Sequence, residues 1–198
     1  MQNVMNWLDV GGPVVWLLFA LSVIALMVVL VKVFQFGVSQ PIRVGASYDP
    51  ARLSEQSGQS IRAQVFNAAL SQLKAGQLSP EQAMVDAQRH AREKLADLNS
   101  HLRVLEVIAM MAPLLGLFGT VLGMIEAFQA MEAAGRDVNP SVLSGGIWVA
   151  LLTTAVGLAV AIPVSVANSY FERLVENQAI AMSNDLETLH TQWALMRE

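Results

Sequence analysis

Between two glutamates the chain reads Glu106-Val107-Ile108-Ala109-Met110-Met111-Ala112-Pro113-Leu114-Leu115-Gly116-Leu117-Phe118-Gly119-Thr120-Val121-Leu122-Gly123-Met124-Ile125-Glu126, with no charge from Val107 to Ile125. A hydrocarbon layer about 30 Å thick is crossed by roughly 20 apolar residues in an α-helix, so this run predicts a membrane span. Two further uncharged runs qualify, one between Asp9 and Lys32 and one between Asp137 and Glu172. The expected fold class is an all-α integral membrane protein with three transmembrane helices.

Composition agrees. Of 198 residues, 54% are hydrophobic and 14% charged, more apolar and less charged than a soluble domain. The net charge of -4 argues against a nucleic-acid partner, which would call for clustered Lys and Arg. With no cysteine, disulfides, thiolate metal sites and cysteine nucleophiles are excluded. The first run has no basic start, and it ends at Lys32 without a small-residue cleavage site, so it reads as an anchor rather than a secretory signal.

Basic residues give an orientation. Nine of the 12 Lys and Arg fall from Lys32 to Arg103, with Arg136 between the second and third spans and Arg173 and Arg197 after the third. Because positive residues stay on the cytoplasmic side, the N-terminus is expected outside and the C-terminus inside. The chain then divides into an N-terminal segment with the first span (1–38), a cytoplasmic loop and helices (39–105), the second span (106–131), an outer hairpin (132–141), the third span (142–171) and a cytoplasmic C-terminal helix (172–198).

Within the inner segment, Pro, Gly, Ser and Gln between Ser39 and Ser60 predict a loop. A helix follows from Ile61 to Lys74, with Val65, Ala69 and Leu73 at four-residue spacing, and stops at Gly76. Ser79-Pro80-Glu81-Gln82 carries a helix start, Ser79 capping, Pro80 in the first turn and Gln82 closing a capping box. No breaker appears from there to Pro113, which predicts one helix running from the inner segment into the second span. The third span likewise continues from its apolar run to the C-terminus; from Val142 to Met196 it would be about 80 Å long. The two extended helices are expected to build a cytoplasmic helical bundle.

The spans differ chemically. From Val14 to Val31 the first has Ser22 as its only polar side chain and suits lipid. The second carries Gly116, Gly119, Thr120 and Gly123; the third carries Ala150, Thr153, Thr154, Gly157, Ala161 and Ser165. Small residues let membrane helices approach closely, so the glycines, with Ala150, Ala161 and Ser165, read as packing positions. Thr120, Thr154 and Thr153 are candidates for an ion path, each hydroxyl able to donate and accept; back-bonding to the helix is the alternative for any threonine. Pro113 and Pro163 each leave a carbonyl without its usual donor and are candidate kinks. No Asp, Glu, His, Lys or Arg lies deep in any span, and Glu106 and Glu126 read as interfacial. If protons or sodium cross, the titrating group at mid-membrane must come from another chain. His90, His101 and His190 show no metal-ligand spacing. Neither a cofactor motif nor an enzyme signature is present, and the expectation is a non-enzyme without cofactor or metal.

Ala112-Pro113-Leu114-Leu115-Gly116-Leu117-Phe118-Gly119-Thr120-Val121-Leu122-Gly123, followed by Gly146-Ile147-Trp148-Val149-Ala150-Leu151-Leu152-Thr153-Thr154-Ala155-Val156-Gly157-Leu158 and Ala161-Ile162-Pro163, resembles the ExbB/TolQ/MotA proton-channel family. With three spans and an outside N-terminus, the plan is most similar to ExbB and TolQ. The resemblance implies a homopentamer in the bacterial inner membrane, its second and third spans surrounding single-span ExbD- or TolR-like subunits that supply a membrane Asp. Ion flow would then power a TonB- or TolA-like protein acting on the outer membrane, with the hairpin at 132–141 in the periplasm. Thr120 and Thr154 fall on the family's pore threonines. The chain departs from ExbB and TolQ at Val149, where they usually carry Glu; Val149-Ala150-Leu151 is locally similar to the MotA branch. A motility stator and a non-conducting membrane scaffold are the alternatives.

Overall fold

The computed structural model describes residues 11–38, 60–76, 79–134 and 140–195. Five helices occupy them: α1 (Gly12–Val38), α2 (Ile61–Ala75), α3 (Pro80–Asn99), α4 (Leu102–Ala134) and α5 (Pro140–Leu195). No strand occurs among the described residues. The N-terminal residues 1–10, the loop expected after Ser39 and the centre of the hairpin at 132–141 lie outside the described residues. Stretches within Gly12–Phe36, Pro80–Ala133 and Leu143–Leu195 are long and apolar enough to cross a membrane, and the protein is an all-α membrane protein with three candidate spans.

The chain forms two compact units. The first comprises α1 up to Val29 with residues from Arg103 to Asn168. Here Val14 and Leu18 of α1 pack with Ala112 of α4 and Ala161 of α5, flanked by Leu115, Leu122, Val156 and Val160. The remaining sides of α1 are open, with Trp16, Phe19, Val23, Leu26 and Met27 exposed. In water such an apolar surface would be costly, whereas lipid satisfies it.

The second unit comprises residues from Leu30 to Leu102 and from Ser169 onward. Its core joins Val65, Phe66, Ala69 and Leu73 of α2, Ala83, Ala87 and Ala91 of α3, and Met182, Leu186 and Leu189 of α5. Alanines at four-residue spacing give α3 a flat face, and larger side chains from its two neighbours fill the space above it. Local chemistry sets the ends of these helices. Ser60 caps α2 by accepting from the Ala63 N–H at 3.4 Å, and Gly76 ends it at φ 65°, a left-handed conformation that costs glycine little. At α3 the capping box forms reciprocally: Gln82 N–H donates to Ser79 Oγ, and Ser79 N–H to Gln82 Oε1, both at 3.2 Å.

The single helix expected from Pro80 into the second span is interrupted at Ser100 and His101. Ser100 itself does not leave the helical region, at φ -52° and ψ -38°. Instead the Ser100 N–H tightens onto Asp97 O at 3.4 Å, its Oγ donates to the same carbonyl at 2.8 Å, and that Oγ also pairs with His101 Nδ1 at 2.8 Å. Side-chain competition for helix carbonyls explains a break where neither Gly nor Pro is present. Pro113 and Pro163, by contrast, lie within uninterrupted helices.

Candidate functional site

In the first unit α4 and α5 meet along a seam of small residues. A Cβ added at Gly116 would lie 3.0 Å from Thr153 O and 3.1 Å from Thr154 Cα. At Gly123 it would lie 3.3 Å from Ala150 Cβ, and at Gly157 2.7 Å from Ala112 O. At 2.7 Å a Cβ would be closer to a backbone oxygen than real Cβ atoms come, and at 3.0–3.3 Å tighter than most of their contacts, so the helices approach closely here because these residues are glycine.

Burial marks which α5 residues face inward. Ala150, Thr153, Gly157, Ala161 and Val164 are buried; Thr154 is half-buried and Ser165 exposed. A stripe through 150, 154, 157, 161 and 165 and one through 150, 153, 157, 161 and 164 share three positions, because a helix repeat of 3.6 alternates steps of three and four. The structure takes the second, which buries Val164 in place of the polar Ser165.

The three threonines therefore stand in different surroundings. Thr153 is 1% exposed; its hydroxyl donates to Ala150 O at 2.7 Å and reaches Gly116 O at 3.3 Å. Thr154 reaches the same Gly116 carbonyl at 3.3 Å, a long contact that leaves its single proton free to turn elsewhere. Thr120 is half-buried and donates to Leu117 O at 2.6 Å. With its proton committed there, Thr120 offers only lone pairs to anything approaching, a surface suited to a cation or a protonated acid. Thr154 can still donate or accept.

Around them the seam holds no formal charge. Glu106 and Glu126 are exposed near the ends of the apolar run, Val149 is half-buried, Pro113 is half-buried and Pro163 exposed. Trp148, beside Val149, is 63% exposed. Away from the spans, His101 and His190 are exposed and His90 lies beside Glu93 at 3.9 Å.

Two polar features in the second unit escape a sequence reading. Lys32 is fully buried, and its Nζ donates to Leu98 O at 2.6 Å and to Gln35 Oε1 at 3.2 Å. Its ammonium also lies 5.9 Å from the centre of the Phe36 ring, which stacks on Phe171 at 5.8 Å. Arg62 grips Asp185 through Nε and through Nη2, the latter at 2.6 Å, with Asp185 only 1% exposed. Nearer the surface, hydrogen bonds from Gln72 at 2.8 Å and Arg89 at 2.7 Å hold the Asp86 carboxyl below the usual carboxylate range.

Three apolar helices, two of them joined along a glycine seam bearing hydroxyls and no charge, define a multi-pass membrane protein built to pack helices closely around polar side chains. A family model described as the MotA/TolQ/ExbB proton channel family matches residues 57–184, and the chain belongs to that family. It is 32% identical over 163 residues to the biopolymer transport protein exbB1 of Vibrio cholerae, an alignment covering 77% of this chain and 72% of that one. It is also similar to the biopolymer transport protein ExbB of Salmonella typhimurium, 32% identical over 60% of this chain and 51% of the relative. Likewise, it is 44% identical to the ExbB of Helicobacter pylori over 36% of this chain and 48% of the relative. The chain thus spans about half the length of the latter two.

Proposed function

We propose that this protein is the channel-forming subunit of an inner-membrane motor driven by the proton-motive force. Five copies surround the single membrane helices of an ExbD- or TolR-like partner, whose Asp carries the proton past Thr120 and Thr154. Partner movement then passes to a TonB- or TolA-like protein that acts on the outer membrane. The N-terminus lies in the periplasm and the C-terminus in the cytoplasm, with the basic residues of the inner segment holding that orientation.

One observation carries this reading. The α4–α5 wall sets hydroxyls at Thr120 and Thr154 within runs that contain no ionisable side chain of their own. Hydroxyls can receive a proton-bearing acid but cannot replace it, because their own protons are not released at physiological pH. Such a wall needs a charge supplied by another chain.

Val149 favours a second reading in one respect: the local run Val149-Ala150-Leu151 is similar to the MotA branch, which would make the chain a motility stator. Partner-dependent ion flux in liposomes tests the leading reading, with wild type compared to Thr154→Val and Val149→Glu. Loss of flux in Thr154→Val, with Val149→Glu still conducting, is the expected result. If Thr154→Val conducts and drives the partner normally, the assigned polar path is wrong.

A further inference from the structure

Thr153 is adjacent in sequence to Thr154, yet its side chain is buried inside the α4–α5 contact. Its stronger hydrogen bond, 2.7 Å to Ala150 O, stays within α5, so the hydroxyl itself does little to hold the two helices together. Shape does more. A Cβ built on Gly119 would lie 2.7 Å from Thr153 Cβ, 2.7 Å from its Oγ1 and 3.0 Å from its Cγ2. All three heavy atoms of the side chain thus fill the notch that the missing Gly119 side chain leaves.

From this we infer that Thr153 is a positioning residue, a wedge seated in the Gly119 notch that fixes the register of α4 against α5. The lock adjoins the polar pair along both helices: Gly119 precedes Thr120, and Thr153 precedes Thr154. A slip along the seam would therefore carry Thr120 and Thr154 past each other, and the wall would lose its alignment. Gly116 belongs to the same joint, its carbonyl lying 3.3 Å from the hydroxyls of Thr153 and Thr154. The inference rests on reading Thr120 and Thr154 as the wall of the ion path, and it gives Thr153 a role that does not require contact with the ion.

A native chain without cysteine allows register to be measured without any flux. Gly123 and Ala150 lie on the seam, and a Cβ at Gly123 would be 3.3 Å from Ala150 Cβ, within a few tenths of an ångström of disulfide spacing. In a Gly123→Cys/Ala150→Cys background, intramolecular disulfide yield reports register, while partner-dependent flux is measured separately in the cysteine-free chain. Gly119→Ala should lower both disulfide yield and flux, the latter by about tenfold, because the new methyl collides with the wedge. Adding Thr153→Ala should bring flux back to within about threefold of wild type, a coupling that independent sites do not show. Thr153→Val keeps the wedge without its hydroxyl and should also conduct within about threefold of wild type, whereas the loss of an ion-path oxygen would stop flux.

Gly119→Ala at wild-type level in both readouts, no recovery in the double variant, or a dead Thr153→Val channel would each overturn the inference. If disulfide yield follows the lock while flux ignores both the lock and Thr154→Val, the wedge stands as the register device and the conduction reading falls.

Discussion

Lys32 Nζ donates to the backbone carbonyl of Leu98 at 2.6 Å across 66 positions of sequence. Leu98 is the last residue but one of α3, among the four final carbonyls of a helix that have no partner within it. A cation there satisfies the carbonyl and complements the negative end of the helix dipole. Lys32 thereby stabilises the helix end just where Ser100 and His101 interrupt the path into α4. Lys32→Met keeps the buried stem and removes the donor. It should cost about 1–3 kcal/mol and speed amide exchange from Asn99 to Leu102, as measured by hydrogen–deuterium exchange in detergent micelles.

Asp185 is buried against Arg62, which holds it through two guanidinium nitrogens. Removing the carboxylate takes both of these hydrogen bonds from Arg62 in a poorly solvated place, at a cost on the order of 3 kcal/mol. The Arg62 side chain is 21% exposed, and that access to water places the loss for Asp185→Ala at the lower end of the range. Arg62→Lys should fall between wild type and Asp185→Ala, since an ammonium cannot reproduce the two-pronged geometry. Denaturant titration followed by circular dichroism measures both.

Asp86 joins α3 to α2 through Gln72 and pairs with Arg89 on its own helix. Both interactions favour the carboxylate, so its folded pKa is lowered from the ordinary value of 3.8. The stabilisation is therefore complete above the unfolded pKa and disappears as pH falls through the lower folded one. Wild type should exceed Asp86→Asn in stability by a constant margin from about pH 5 to 8, and the margin should close below about pH 4. Melting curves of the two proteins across that range provide the comparison.

Gly157 faces backbone rather than side chain: an added Cβ would meet Ala112 O at 2.7 Å and Gly116 Cα at 3.0 Å. No rotamer change can relieve that contact. Gly157→Ala should destabilise by about 1–3 kcal/mol or more, and no single side-chain truncation should rescue it, unlike Gly119→Ala. Gly145→Ala, whose Cβ would meet nothing within 4 Å, is the matched control. Thermal stability in detergent distinguishes the two.

Legibility in the sequence followed the range of each interaction. Apolar runs ended by Lys32, Glu106, Glu126 and Glu172 mark the spans by length alone, and the Ser79–Gln82 capping box is complete within four residues, so both could be read directly. The break at Ser100 could not, because serine and histidine are ordinary helix residues and the buried lysine that meets Leu98 is distant in sequence. Asp185 likewise finds Arg62 123 positions away. At the seam, the small residues announced close packing, but their spacing fits two phases one residue apart. Only the packed structure separates Thr153, wedged in the contact, from Thr154 at its edge.

The most direct test of the central claim, that this chain builds a path whose charge is supplied by a partner, is proton flux into liposomes under an imposed potential. The protein is reconstituted alone, with its single-span partner, and with a partner whose membrane acid is changed to an amide. The account predicts flux only with the intact partner. Equal flux from this chain alone, or from the complex with the amide, would contradict it.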